Sequence, residues 1–149
     1  MNPIAIGSDH GGYQLKALLV KSLRDWGFEV QDLGTHSAES CDYPDIAHAL
    51  ASGIEQGRFD LGMLVCGTGV GMSMAANRHP AVRAAVVSDP FTARMAREHN
   101  HANVLCLGER VVGMGLALAI VRAWLDARPD TDARHSRRVA KISPGEPRT

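Results

Sequence analysis

The sequence predicts a single doubly wound, Rossmann-like α/β domain, with a five-stranded parallel sheet and helices on both faces. Three observations predict it. Short apolar runs bounded by turn residues alternate with helical patterns from end to end, and no internal repeat or low-complexity segment interrupts them. The runs are mostly apolar throughout rather than at every second residue, as strands covered on both faces require. A length of 149 residues suits one domain with a real core and is short for two.

The first strand is expected at 3–8, followed by the turn Gly7-Ser8-Asp9-His10-Gly11-Gly12. In the helix expected at 12–26, Leu15, Leu18, Leu19, Ser22 and Leu23 share one stripe, Lys16, Lys21, Arg24 and Asp25 lie largely off it, and Gly27 ends it. A second strand at 28–33 leads to a helix at 43–56. The third strand, 61–66, runs through a glycine-rich turn into a helix at 70–77. The fourth strand, 81–87, precedes a helix at 91–99, and the fifth, 103–107, precedes one at 113–125. That last helix is nearly all apolar, so it is either deeply buried or packed on another subunit. Arg128-Pro129-Asp130-Thr131-Asp132 then breaks the pattern, and a short basic helix carries Arg134 and Arg138 on one face. The domain is expected to span 1–142, with a disordered tail at 143–149.

With 45% apolar and 21% charged residues, and 16 basic against 16 acidic side chains, the chain has no global field to attract nucleic acid or an anionic membrane. An anionic partner must be met locally. No apolar run approaches the roughly 20 residues that span a bilayer, and the start has no signal-peptide pattern, so a cytoplasmic protein is expected. Cys41, Cys66 and Cys106 are odd in number and far apart, which supports neither a disulfide framework nor a zinc site.

In a doubly wound sheet, ligands bind beyond the carboxyl ends of the strands. The most informative stretch there is Cys66-Gly67-Thr68-Gly69-Val70-Gly71. Alternate glycines between a strand and a helix let the backbone approach a ligand and aim several N–H groups at one anion, a phosphate or an enediolate oxygen. The run is neither a Walker loop nor GxGxxG, and a tight turn without a ligand is the alternative. Cys66 sits where the helix dipole and free N–H groups favour a thiolate, whereas Cys106, inside a strand, reads as a small buried hydrophobe. Thr68 can point its hydroxyl into the same space or cap the helix.

Asp9 and His10 occupy the turn where a dinucleotide enzyme places glycines against pyrophosphate. A carboxylate there repels that group, and the pair suits sugar hydroxyls or a phosphate instead. Asp32 reads as an ordinary surface or loop residue, and His99 and His101 as helix-end residues. His36, His48 and His79 carry no signal. Arg134 and Arg138 can clamp a phosphate or remain solvated.

Gly-Ser-Asp-His-Gly-Gly, Asp42-Tyr43-Pro44, the glycine run, Ala75-Ala76-Asn77, Arg97-Glu98-His99-Asn100, Gly108-Glu109-Arg110-Val111-Val112-Gly113 and Arg134-His135-Ser136-Arg137-Arg138-Val139 occur in this order. Together they resemble the type B ribose-5-phosphate isomerases over residues 3–142. The wider superfamily also contains isomerases of allose 6-phosphate and galactose 6-phosphate. The resemblance implies metal-free, cofactor-free interconversion of ribose 5-phosphate and ribulose 5-phosphate through an enediolate. It further implies a homodimer with composite active sites, and leaves open whether dimers pair into tetramers. It assigns the base to Cys66, oxyanion stabilisation to Thr68 and the backbone of Gly67, Gly69, Val70 and Gly71, and ring opening to His99 helped by Asp9. Tyr43 and Asn100 would contact sugar oxygens, while His10, Arg110, Arg134 and Arg138 would hold the phosphate. Relatives that lack the cysteine carry a glutamate at the position of Met72, so this chain groups with the cysteine type. The alternatives are a six-carbon sugar-phosphate isomerase and a non-catalytic sugar-phosphate-binding domain. A phospho-receiver domain fits poorly, because Cys66 and Gly108-Glu109-Arg110 stand where it needs an aspartate and a lysine.

Overall fold

The computed structural model describes residues 1–145, so the expected tail lies outside the described residues from 146 onward. Strands and helices alternate in chain order. They are β1 (Ile4–Ser8), α1 (Tyr13–Asp25), β2 (Val30–Asp32), α2 (Tyr43–Glu55), β3 (Gly62–Cys66) and α3 (Val70–Ala76), followed by β4 (Ala84–Val86), α4 (Pro90–Glu98), β5 (Val104–Gly108), α5 (Met114–Asp126) and α6 (Ala133–Ala140). The five strands form one sheet in the order β2-β1-β3-β5-β4, and every pairing is parallel. No helix among the described residues is long and apolar enough to cross a membrane.

Every residue of β1, β3 and β5 is buried, which explains their unbroken apolar runs. One face of the sheet packs against α1, α4 and α5 through Leu15, Leu19, Leu23, Ala93, Ile120 and Trp124. The other packs against α2 and α3 through Ala47, Leu50, Ala51, Met72 and Ala76. The winding reverses between β1 and β3, which opens a crevice at their carboxyl ends.

Two charged residues depart from the sequence reading. Lys16 is 2% exposed, and its ammonium lies 2.7 Å from both carboxylate oxygens of Asp32. Asp32 also accepts the Gly34 N–H at 2.9 Å. It is therefore not an ordinary surface residue but the partner that lets a buried lysine fasten α1 to β2. The fourth strand is shorter than expected because side-chain amides capture its start. Asn77 exchanges two hydrogen bonds with the backbone of Ala84, and Asn103 bonds Arg83 N–H and Ala81 C=O. Those contacts occupy backbone groups on and beside an edge strand.

Candidate active site

At the carboxyl edge, β3 ends in Cys66 and the chain turns through Gly67 to Gly71 into α3. Gly69 has φ +82, a left-handed conformation, and a Cβ there would lie 3.0 Å from the Leu107 backbone. This turn aims the Gly69 N–H at Cys66 Sγ, 3.0 Å away. Such a bond strengthens as the sulfur gains negative charge. Thr68 is exposed, and its hydroxyl accepts the Val70 N–H at 3.3 Å, so it supports the start of α3 while facing the crevice mouth. Cys66 is buried with 5% exposure, and Cys106 is fully enclosed. Burial, with a further push from neighbouring Cys66, holds the Cys106 thiol well above its usual range, which leaves it inert.

Across the crevice, Asp9 is 7% exposed and accepts the Gly11 N–H at 2.9 Å. A Cβ on Gly11 would stand 3.3 Å from both Asp9 Oδ1 and the Gly67 nitrogen, so the β1 and β3 turns nearly touch. His10 accepts the Cys41 N–H on Nδ1 at 3.2 Å. With Nδ1 used as an acceptor, the ring proton belongs on Nε2, which is thereby a donor for an anionic ligand. Tyr43 opens α2 just before Pro44, and its ring fills the space beside Gly71, where a Cβ would come within 2.6 Å of Tyr43 Cζ. The Arg110 side chain runs over Gly67, and the Arg110 backbone N–H donates to the Gly67 carbonyl at 3.1 Å.

Glu109 is a part of this region that the sequence did not single out. Its Oε1 accepts the Leu15 N–H at 2.6 Å in the first turn of α1, while its own N–H donates to Cys66 C=O at 2.9 Å. One residue thus joins the start of α1, the end of β3 and the turn that carries Arg110.

The remaining expected site residues lie elsewhere. In a parallel sheet each connecting helix runs from the carboxyl edge back to the amino edge, so His99, the C-cap of α4, and Asn100 are delivered to the edge opposite Cys66. The His99 ring stacks on His135 of α6, with centroids 4.2 Å apart and planes 5° from parallel. Asp130 N–H donates to Glu98 C=O at 2.8 Å, which anchors the α5–α6 connection at the same edge. Asn100 lines a cavity of about 770 Å³ with Arg78, Arg83 and Ala84. Arg134 and Arg138 are exposed on α6. One chain therefore gathers Asp9, His10, Tyr43, Cys66, Gly67, Thr68, Gly69, Val70, Gly71 and Arg110 at one edge, and His99, Asn100, Arg134 and Arg138 at the other. Away from both groups, His79 bridges His48 at 2.8 Å and Glu55 at 3.0 Å, a surface chain that fastens α2 to the turn after α3.

Residues 4–142 match the family model described as Ribose/Galactose Isomerase. The chain is 47% identical over 148 residues to ribose-5-phosphate isomerase B of Escherichia coli, with 99% of each covered. The solved structure of ribose-5-phosphate isomerase B from Clostridium thermocellum superposes with a TM-score of 0.91 at 53% identity, covering 94% of each chain. That of the type B ribose 5-phosphate isomerase from Trypanosoma brucei gives a TM-score of 0.93 at 44% identity, over 98% of this chain and 100% of that one.

Proposed function

This chain belongs to the ribose/galactose isomerase family, and from that premise we propose that it interconverts ribose 5-phosphate and ribulose 5-phosphate through an enediolate, with Cys66 as the base. The observation that carries the reading is the Gly69 N–H donated to Cys66 Sγ at the mouth of a turn rich in backbone donors. A carbon acid beside a carbonyl ionises only if a base meets the proton and fixed donors meet the oxygen that becomes negative. Cys66 takes the proton from C2 of the open-chain aldose, the electron pair moves onto O1, and the glycine turn with Thr68 holds that oxygen. Transfer of the O2 proton to O1 and return of the abstracted proton to C1 complete the ketose, with O2 as the new carbonyl. The exchange moves protons between adjacent atoms and passes no electrons to an outside acceptor, so the reading calls for no redox cofactor.

His99, helped by Asp9, opens the furanose ring, and Tyr43 and Asn100 contact the sugar oxygens. The phosphate is held by His10 Nε2–H and Arg110, with Arg134 and Arg138. Because these groups lie at opposite edges of one chain, the reading needs a second copy: the His99 and α6 end of one chain meets the Cys66 end of another. Closed two-fold pairing makes two such sites at once. The exposed apolar side chains Met74, Val86 and Phe91, on and beside edge strand β4, give that pairing a surface to cover. Phosphorylated sugars do not leak across membranes, so the enzyme belongs with its substrate in the cytoplasm.

The test is turnover by purified protein given ribose 5-phosphate alone. Cys66→Ala is expected to lose activity almost completely, while Cys106→Ala keeps it. If Cys66→Ala retains more than about a tenth of wild-type turnover, a barrier change under roughly 1.4 kcal/mol, Cys66 is not the base. Parallel assays with allose 6-phosphate distinguish a five-carbon from a six-carbon preference.

A further inference from the structure

We propose that His135 is a positioning residue: through its stack on His99 it locks the phosphate-clamping helix α6 to the ring-opening histidine, so that the two are presented to the sugar as one unit. This inference rests on the function proposed above. Its starting point is how little else holds α6. No residue of that helix is buried, and all but His135 and Val139 are exposed. The helix begins at Asp132, whose carboxylate caps the Arg134 N–H at 2.7 Å, and the segment before it is tied down by Asp130 N–H to Glu98 C=O and by a His101 Nε2 contact to Asp130 C=O at 3.1 Å. Those contacts fix where α6 starts but not how it is rotated about its axis.

The rotation is set by the ring stack. The His135 side chain is 12% exposed, and its plane lies 5° from that of His99 at a centroid separation of 4.2 Å. Arg134 precedes His135 directly and Arg138 lies three residues on, so any turn of the helix that breaks the stack sweeps both guanidiniums away. The stack has a second effect. When His99 takes up a proton during ring opening, the π face of His135 and the Asp130 carboxylate oppose its positive charge. His99, Asp130 and His135 place their ligand atoms within 4.8 Å of one another, a spacing that could admit a metal ion. Imidazole lone pairs lie in the ring plane, however, and two stacked rings keep theirs in separate, nearly parallel planes that do not converge on one ion.

The experiment compares His135→Ala, His135→Asn and His135→Phe in the full chain, measuring initial rates from both ribose 5-phosphate and ribulose 5-phosphate. Wild-type turnover is the control for the functional reading: if the wild type does not isomerise ribose 5-phosphate, that reading fails, whatever the variants do. Given an active wild type, the Ala and Asn variants are expected to raise KM about tenfold for both sugars and to lose at least about fivefold more kcat from the aldose than from the ketose. Phe, which keeps a flat ring without nitrogens, should restore KM to within about threefold of wild type. A role confined to stability would lower the unfolding midpoint without separating KM from kcat or aldose from ketose. The proposal is overturned if the Ala and Asn variants match wild type in both directions, or if Phe is as impaired in KM as Ala.

Discussion

Cys66 and Cys106 carry the same thiol on adjacent strands, and their surroundings separate them. Cys106 is sealed in the sheet and held protonated by burial, whereas Cys66 reaches the crevice edge and receives a backbone N–H. At the same scale, the ring-opening role proposed for His99 makes a directional prediction. His99→Asn should lose most activity on ribose 5-phosphate and much less on ribulose 5-phosphate, whose reaction can proceed to the open-chain aldose; equal losses in initial rate in both directions would remove that role. Residue chemistry was legible in the sequence where it depends on near neighbours, as with Cys66 and its glycines. It was hidden where the partner is remote. Glu109 meets Leu15 across 94 positions, and nothing around either residue announces the pairing. His135 lies within a sequence motif, but its stack on His99 depends on how the α5–α6 connection returns to the end of α4.

Among the elements, α1 and β2 depend on one ion pair. Burial alone raises the Asp32 carboxyl, but hydrogen bonds from Lys16 and Gly34, together with the charges of Lys16 and His36, outweigh it and hold the group below its ordinary value. A carboxyl depressed in the folded state stabilises the fold above its unfolded pKa, and that contribution disappears as pH falls through the folded value. Asp32→Asn should therefore cost about 3 kcal/mol at neutral pH, because a buried ammonium loses its counter-charge. It should also flatten the loss of stability below about pH 4, where an ordinary aspartate titrates. Urea unfolding at pH 7 and in mild acid checks both outcomes. The sequence reading placed Lys16 off the apolar stripe because periodicity treats every charge as solvent-seeking. The order and type of the elements were legible because each apolar run and each helical stripe is local. Strand ends were less so: Asn77 and Asn103 shorten β4 through contacts that no window of sequence contains.

For the whole molecule, the composite site proposed from residues at opposite edges makes a prediction for mixtures. Cys66→Ala and Arg138→Ala should each be severely impaired alone. After subunit exchange, a mixed dimer holds one site with both lesions and one with neither. Random pairing makes about half the dimers mixed, so roughly a quarter of wild-type activity should return. Exchange verified by mass spectrometry without any recovery would refute the shared site. The sequence motifs carried the resemblance and hence the residues, and α4 could be seen to end at His99. The geometric argument for the proposed sharing became visible only with the parallel topology, which sends His99 to the far edge from Cys66.

The carboxylate of Glu109 has a further consequence. The first turn of α1 is where folds of this shape ordinarily seat the pyrophosphate of a nucleotide, and here Glu109 rests on that turn through the Leu15 N–H. The chain thus carries its own resident anion in the inherited berth. A nucleotide approaching that turn meets a negative charge already installed.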